Sequence, residues 1–158
     1  MSEAKHEEFL REAIRLAAEN VEQDGGPFGA VVVKDGEIVA RGVNRVTAHN
    51  DPTAHAEIVA IREACRALGT FQLEGCTIYC STEPCPMCLG AIYWARPDAV
   101  YFAAAHADAA ENGFDDQFIY AEIAQPVERR TLPTRRLAVE GALEPFRCWR
   151  KKENRVEY

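Results

Sequence analysis

The sequence predicts a three-layer α/β/α domain built on a mixed five-stranded sheet. Two observations predict this class. A β-hairpin pattern near the N-terminus is followed by short apolar strands that alternate with helices, and the 158 residues suffice for one compact domain with a substantial core. No linker, internal repeat or low-complexity segment divides the chain. We therefore expect a single domain over residues 1–158.

The first element is an amphipathic helix from Glu3 to Glu22. Apolar residues recur there at helical spacing with charged residues between them, and Gly25-Gly26 ends the helix. The apolar positions are Leu10, Ala13, Ile14, Ala17 and Val21. One face of this helix is therefore expected to pack on the sheet.

A β-hairpin follows the first helix. The runs "GAVVV" and "EIVARGV" flank Asp35-Gly36, which is a strong signal for a two-residue turn. This turn pairs Lys34 with Glu37. Counting outward from that pair predicts that Val43 lies opposite Phe28, so Phe28 and Asn44 are expected at the same open end of the hairpin.

The remaining elements alternate. Asp51-Pro52 predicts an N-cap and a proline at the first helical position of a second helix, which runs to about Ala67 and ends at Gly69. "CTIYCS" predicts a strand, Pro86 to about Ala95 a third helix, and "AVYFAA" another strand. After a loop rich in Ala and Asp, "RRLAVEG" predicts the fifth strand, and Pro145 to about Glu153 the last helix.

Composition limits the class of protein. The 18 Lys and Arg residues against 25 Asp and Glu residues give a net charge of -7, which does not suit a nonspecific nucleic-acid binder. The N-terminus is charged from Glu3 onward, and no apolar run is long enough to span a membrane. We therefore expect a cytoplasmic protein whose cysteines stay reduced, so a disulfide framework is disfavoured.

Two cysteines at the start of the third helix raise the question of a metal site. Cys85 and Cys88 in "STEPCPMC" fit a redox pair or half of a zinc site. Catalytic zinc sites use three protein ligands and leave one position for water, and His55 in "TAHAE" offers the third ligand. Helix N-termini also favour thiolates. The pattern H-x-E followed by P-C-x-x-C is typical of zinc nucleobase deaminases.

Glu57 follows His55 by two residues. Residues two apart on a helix do not share a face, so both side chains converge only on a point beyond the helix end. There Glu57 would reach the metal-bound water. Its alternative role, a first-turn acid that stabilises the helix dipole, needs no histidine two residues earlier. A catalytically silent zinc-binding or redox module, the hypothesis from another class, would lack such an acid.

From about Pro27 to Tyr158 the chain resembles the bacterial guanine deaminases of the cytidine and deoxycytidylate deaminase superfamily. The stretches that resemble this family are "GPFGAVVVKDG", "GVNRVTAHNDPTAHAE", "EPCPMCLGAIYWARP", "GFDDQFIY" and the terminal "VEY". "HNDPTAHAE" and "EPCPMC" are shared with tRNA adenosine deaminases, whereas "YWAR", "GFDDQFIY" and the terminal tyrosine resemble guanine deaminases specifically. The resemblance implies a cytidine-deaminase-like fold and one Zn²⁺ per chain. It also implies hydrolysis of guanine to xanthine and ammonia, usually by a dimer.

The resemblance also implies roles for side chains near the metal. Glu57 would transfer protons from the water to the base. Asn44 would contact a purine edge through its amide, although it could equally form a turn. Phe28 and Trp94 would stack on the base, although a plain core position explains an aromatic residue at least as well.

An aspartate pair in "GFDDQF" is expected to select the substrate. Guanine presents N1–H and a 2-amino group, both donors, whereas adenine presents a bare N1 acceptor. A carboxylate facing that edge accepts from guanine and repels adenine. By the resemblance Asp116 has this role, with Asp115 as the second choice. The alternative is a loop pair that forms a turn.

The C-terminal segment is expected to take part in the site. Phe146 and Trp149, three residues apart, indicate a helix anchored to the protein body, and the resemblance includes the terminal tyrosine. Tyr158 would close over the substrate, and a segment from about residue 130 to residue 158 is a candidate for exchange between two subunits. The remaining cysteines, Cys65, Cys76, Cys80 and Cys148, are expected to be buried thiols rather than ligands.

Other substrates remain open within this superfamily. Related aminated rings such as ammeline or isocytosine, other nucleobases and triazines, or a tRNA adenosine are the alternatives to guanine. The acidic net charge and "GFDDQF" argue against tRNA.

Overall fold

A computed structural model describes residues 1–158, which form two compact units, Met1–Gln117 and Phe118–Tyr158. The first unit contains four strands, β1 (Gly29–Lys34), β2 (Glu37–Val43), β3 (Cys76–Thr82) and β4 (Ala99–Ala104). Its helices are α1 (Glu3–Glu22), α2 (Val46–His49), α3 (Ala56–Leu68), α4 (Pro86–Ala95) and α5 (His106–Glu111). Then follow α6 (Gln117–Ala124), a 3₁₀ turn (Val127–Arg129) and α7 (Glu144–Lys151). None of these helices has the length and apolar character that crossing a membrane requires.

The sheet is mixed, as predicted, but has four strands rather than five. Its order is β2-β1-β3-β4, with β1 antiparallel to both β2 and β3, and β3 parallel to β4. The predicted fifth strand, residues 135–141, is irregular and exposed. An extended segment becomes a strand only when its backbone groups pair with a neighbouring strand, and these residues have no such partner in their own unit.

The three-layer arrangement is confirmed by the central strand β1, whose two faces are both buried. Val31 and Val33 pack with Phe9 of α1 on one side of the sheet. Val32 packs with Ala60 of α3 on the other side, in a cluster that also includes residues of α4. Alternate residues of a strand point to opposite faces, so one short apolar strand supports both helical layers.

A close approach at Gly42 fixes the position of α3 on the sheet. A Cβ atom at Gly42 would lie 2.1 Å from the carbonyl oxygen of Ala56 and 2.5 Å from the backbone nitrogen of Ala60. Only glycine permits the backbone of β2 to pack this closely against the first turn of α3. The N-terminus of α3 is thereby held next to the end of β2.

The hairpin turn is as predicted, with Lys34 opposite Glu37. Asp35 and Gly36 have φ angles of 51° and 81°, as a turn with two left-handed residues requires. The predicted pairing of Val43 with Phe28 at the open end of the hairpin is wrong by one residue, because the hairpin contains a β-bulge.

This bulge lies at Val32/Val33, where the register shifts, so Gly29 rather than Phe28 lies opposite Val43. One extra residue on β2 moves every later pair by one position. The backbone nitrogen of Asn44 consequently donates to the carbonyl oxygen of Phe28 at 3.1 Å. The expectation that Phe28 and Asn44 share the open end of the hairpin agrees with this contact.

The helix expected to start at Asp51-Pro52 begins later. Asp51 Oδ1 accepts hydrogen bonds from the backbone nitrogen of Thr53 at 2.8 Å and from its hydroxyl at 2.7 Å. Asp51 therefore closes a local turn, in which its side chain bonds two residues ahead instead of capping a helix. The helix α3 begins at Ala56 with His55 as its N-cap residue and ends at Leu68.

The predicted Ala- and Asp-rich loop contains the short helix α5, and α6 follows it. Asp108 stabilises the start of α5, since its Oδ2 accepts from the backbone nitrogen of Ala105 at 2.8 Å. The other predicted helices agree closely with the structure: α1 and α4 have the expected bounds, and α7 begins one residue earlier and ends about two residues earlier than predicted.

The second unit, described by itself, exposes most of its apolar side chains. Every residue from 131 to 158 is exposed. Trp149 of α7 contacts the ring of Tyr158 edge-on, with the centroids 6.5 Å apart. The large exposed apolar residues are Leu132, Leu137, Val139, Leu143, Phe146, Trp149, Val156 and Tyr158. This segment therefore lacks a core of its own.

Candidate metal centre and active site

Two helix N-termini supply the candidate metal ligands. His55 is the N-cap residue of α3 and Cys85 is the N-cap residue of α4, both with extended backbone angles and neither with a side-chain capping hydrogen bond. Their side chains are therefore available beyond the helix ends. Pro86 follows Cys85 in the first turn of α4, and Cys88 lies one turn on. The structure brings together the three residues that the motif predicted.

The geometry of this set suits zinc. His55 Nδ1 lies 3.5 Å from the sulfur of Cys85 and 3.5 Å from that of Cys88, and all three ligand atoms lie within 4.8 Å of one another. Tetrahedral zinc with Zn–S bonds of about 2.3 Å and Zn–N bonds of about 2.05 Å separates nitrogen and sulfur ligands by about 3.6 Å. Two thiolates, one imidazole and one open position are the donor set of a catalytic zinc site.

The lowered pKa of Cys85 favours a cation, whereas the raised pKa values of Cys88 and His55 oppose one until these groups lose their protons. A hydrogen bond from Cys88, together with the neighbouring His55, lowers the pKa of Cys85 to about 4. The pKa of Cys88 is raised because its thiol donates to Cys85 and is buried. The hydrogen bond with Cys85 also raises the pKa of His55. One thiolate is therefore already present near neutral pH, and zinc binding would displace the proton of the second thiol.

Glu57 is a buried carboxyl group beside this metal centre. It is the second residue of α3 and is 8% exposed. Burial raises the pKa of Glu57, because the charged form loses its hydration. A carboxyl group whose pKa is shifted toward neutrality can both accept and return a proton, as general acid–base catalysis requires.

One cavity of about 500 Å³ contains the metal centre and most of the predicted substrate residues. His55, Cys85 and Glu57 line its floor. The other predicted residues that line it are Phe28, Asn44, Asp115 and Asp116. The cavity combines aromatic side chains with several polar and titratable groups, which suits a site for a small polar ligand.

Asn44 is held in this cavity by its neighbours. Its Oδ1 accepts from the backbone nitrogen of Val46 at 3.2 Å, and its carbonyl oxygen accepts from Nδ2 of the buried Asn20 at 2.9 Å. Asn20 Nδ2 also donates to the carbonyl oxygen of Gly26 at 2.9 Å. Asn44 is therefore both a turn residue and a cavity residue, so the two alternatives from the sequence are compatible.

An aromatic pair forms one wall of the cavity. The rings of Phe28 and Phe114 are perpendicular, with centroids 5.0 Å apart. Phe28 also packs against the core cluster. Phe114 was not among the predicted site residues, because a phenylalanine in an irregular segment has no periodicity that marks its surroundings.

The aspartate pair has two different environments. Asp115 is exposed, and its Oδ1 accepts from the backbone nitrogen of Gln117 at 2.9 Å, so it forms the turn that precedes α6. The side chain of Asp116 is 20% exposed, and its Oδ1 lies 3.2 Å from His106 Nδ1. Both side chains line the cavity, and the contact with His106 distinguishes Asp116 from Asp115. His106 also contacts Glu83, and neither His106 nor Glu83 was among the predicted site residues.

Trp94 and Tyr158 have other surroundings in the single chain. Trp94 lies near the end of α4, is 65% exposed and is not among the residues that line the cavity. Tyr158 belongs to the second unit, where its ring contacts Trp149. Stacking of either residue on a substrate stays a prediction.

The four remaining cysteines do not all share the expected burial. Cys76 and Cys80 are buried in β3, as predicted, and neither belongs to the ligand set. Cys65 is partly buried. Cys148 is exposed, so its expected burial is wrong. It lies in the segment that has no core of its own.

Comparisons with known proteins agree with this geometry. The family described as cytidine and deoxycytidylate deaminase zinc-binding region matches residues 3–104. The guanine deaminase of Bacillus subtilis (strain 168) is 60% identical over 154 residues, 97% of this chain and 99% of that protein. An X-ray structure of guanine deaminase from Bacillus subtilis has a TM-score of 0.95 at 58% identity, covering 100% of this chain and 99% of the other. The tRNA-specific adenosine deaminase of Aquifex aeolicus (strain VF5) is 48% identical over 98 residues, 62% of this chain and 65% of that protein.

Proposed function

Since the chain belongs to the cytidine and deoxycytidylate deaminase family, we propose that it hydrolyses guanine to xanthine and ammonia with one Zn²⁺ per chain. One observation supports this most strongly: two members of a zinc-type ligand set (His55 and Cys85), a buried carboxyl group and a second carboxylate line the same cavity. The likeness to guanine deaminases spans nearly the whole chain, whereas the likeness to the Aquifex tRNA-specific enzyme spans 62% of it.

In the proposed mechanism the metal centre activates water and Glu57 transfers protons. When bound, Zn²⁺ supplies a water molecule whose pKa falls from 15.7 to roughly 7, so a nucleophile is available at neutral pH. In the reaction, Glu57 would accept a proton from the zinc-activated water and deliver it to N3 of guanine, while the water oxygen adds to C2. Glu57 would then transfer the remaining hydroxyl proton to the 2-amino group, so that the C2–N bond breaks, the C2 carbonyl forms and ammonia leaves. Water and guanine are thereby converted to xanthine and ammonia.

Base recognition is assigned to Asp116 and Asn44. A carboxylate facing N1–H and the 2-amino group accepts from two donors of guanine, whereas the bare N1 of adenine would leave it unpaired. Such mismatches in a buried site discriminate by ~10⁴–10⁵. The amide of Asn44 offers both donors and an acceptor to another edge of the purine.

Replacing Asp116 by Asn tests this recognition. We expect kcat/KM for guanine to fall by ~10²-fold or more, because a charged hydrogen bond to the base is lost. Steady-state kinetics of ammonia release measures the effect. The matched control is Asp115→Asn, which should change kcat/KM little because Asp115 closes a turn. A large loss of kcat/KM in Asp115→Asn alone would assign base recognition to Asp115 instead of Asp116. Unchanged kcat/KM in both variants would show that neither aspartate recognises the base.

A substrate panel tests the proposed function as a whole. Ultraviolet and ammonia-release assays should compare guanine, adenine, cytosine, cytidine, guanosine, ammeline, isocytosine and an RNA hairpin containing adenosine. Guanine should be the preferred substrate. Preferred turnover of the RNA hairpin would instead establish the second candidate, a tRNA adenosine deaminase, which the Aquifex relative suggests and the net charge of -7 opposes.

The C-terminal segment indicates how the protein assembles. Because residues 131–158 are exposed and include many large apolar side chains, we infer that they pack on a second copy of the chain in a homodimer. Tyr158 would then cap the bound base and exclude water. We expect the protein to act in the cytoplasm, where reducing conditions keep the thiols of Cys85 and Cys88 available to zinc.

Deleting Glu157-Tyr158 tests the role of the tail. We expect a higher KM or a lower kcat with almost unchanged zinc content and thermal stability, because a cap contributes to the closed site and not to the core. Kinetics, zinc analysis and thermal unfolding provide the three measurements. Unaltered kinetics would contradict the role of Tyr158.

Mixing two variants that are impaired in different ways distinguishes an exchanged tail from one that serves its own subunit. The variants are Glu57→Gln with an intact tail and the tail deletion with Glu57 intact. If tails are exchanged, each mixed dimer has one complete site, so refolding an equal mixture should restore roughly a quarter of all sites. No recovery would show that each tail serves its own subunit.

A further inference from the structure

His106 lies between two carboxylates on the wall of the cavity. Its Nδ1 is 3.2 Å from Asp116 Oδ1, and its Nε2 is 3.4 Å from Glu83 Oε1. The backbone nitrogen of His106 also donates to Glu83 Oε2 at 3.2 Å. All three side chains are at least two-thirds buried. A single imidazole ring, that of His106, therefore contacts both carboxylates.

The two ends of this arrangement differ in how firmly the backbone holds them. Glu83 directly follows β3, and its backbone nitrogen donates to the carbonyl oxygen of Ala104, the last residue of β4, at 2.8 Å. His106 begins α5 two residues after Ala104. Glu83 and His106 are thus fixed by the pairing of two parallel strands. Asp116 lies in the irregular segment between α5 and α6, where no strand pairing holds it.

The function proposed for Asp116 requires a fixed orientation. A carboxylate that reads N1–H and the 2-amino group must present its free lone pairs to both donors at once, and an unanchored side chain would lose rotamer freedom on binding. An ionised carboxylate has about four acceptor sites. Asp116 can therefore accept from His106 through Oδ1 and still accept from the base.

We propose that His106 is a positioning residue, oriented by Glu83, that holds the carboxylate of Asp116 in the geometry that selects guanine. This inference rests on the proposed function, because it gives Asp116 its partner in base recognition. It predicts that His106 acts on the substrate only through Asp116.

Two amide substitutions separate the two contacts of the ring. The amide nitrogen of an asparagine side chain lies near the position of Nδ1, and that of glutamine lies near the position of Nε2. His106→Asn therefore keeps a donor toward Asp116, whereas His106→Gln keeps one toward Glu83 only. We expect kcat/KM for guanine to stay within about 3-fold in His106→Asn and to fall by about 10-fold, mainly through KM, in His106→Gln and His106→Ala.

A double-mutant cycle with Asp116→Asn supplies a measurement that a merely structural role would not affect. If His106 acts through Asp116, adding His106→Gln to Asp116→Asn should cause no further loss of kcat/KM. Zinc content and thermal unfolding of each variant should match the wild-type protein. If His106→Ala proves unstable, the conservative Asn and Gln variants still decide the question.

Three results would overturn this inference: equal losses in His106→Asn and His106→Gln, no loss in His106→Gln, or a full additional loss in the double variant. If the wild-type protein turns over guanine and Asp116→Asn is impaired, such results reject the positioning role alone. If the wild-type protein does not turn over guanine, or if Asp116→Asn leaves kcat/KM unchanged, the proposed function or the recognition role of Asp116 is rejected. The positioning role of His106 is then rejected as well.

Discussion

Replacing Glu57 by Gln should abolish nearly all turnover while leaving zinc in place. Glutamine preserves the shape of the side chain but cannot accept or return a proton, and proton transfer by a positioned group contributes ~10²–10⁴-fold to rate. Glu57 suits this role because it is 8% exposed, burial raises its pKa, and it lines the cavity beside His55. Ammonia release and zinc analysis of the purified variant measure the two parts of the prediction.

The matched control lies on the same helix. Glu63 of α3 forms a surface ion pair with Arg66 at 2.6 Å, so Glu63→Gln should retain activity and zinc. Substantial turnover in Glu57→Gln would show that another group transfers the proton. Loss of zinc from Glu57→Gln would show that its carboxylate holds the metal rather than the proton.

Replacing Cys85 by Ser should remove zinc and with it all activity, whereas the wild-type protein should contain one zinc per chain. A serine hydroxyl is a poor zinc ligand at neutral pH, while the pKa of Cys85 is lowered to about 4, mainly by a hydrogen bond from Cys88. Metal analysis after gel filtration provides the measurement.

Cys80→Ser is the control for this prediction. Cys80 is 1% exposed in β3, and burial raises its pKa well above the usual value, so it remains a thiol. The Cys80→Ser variant should keep zinc, although a buried hydroxyl will lower its thermal stability. Equal loss of zinc from both variants would contradict the assignment of the ligands.

Local sequence signals were sufficient for most of the fold. The bounds of α1 and α4 and the first four strands follow from apolar periodicity, from Gly25-Gly26 and from Pro86, and all of these act within a few residues. The bulge at Val32/Val33 was missed because both registers of the hairpin bury apolar residues. The start of α3 was placed too early because the carboxylate of Asp51 has two local uses, an N-cap and a turn, which the sequence cannot distinguish.

The candidate site divides in the same way. The sequence alone identified the metal-binding residue types, because the Cys-x-x-Cys pair and the His-x-Glu pair each lie at a helix start within one helical turn. The packing of α3 against α4 brings the two pairs together. Only the tertiary structure decided how Asp116 is held. Its contact with His106 spans ten residues, and the contact of His106 with Glu83 depends on the pairing of β3 with β4. The predicted fifth strand, residues 135–141, is irregular because its backbone groups have no neighbouring strand edge in their own unit.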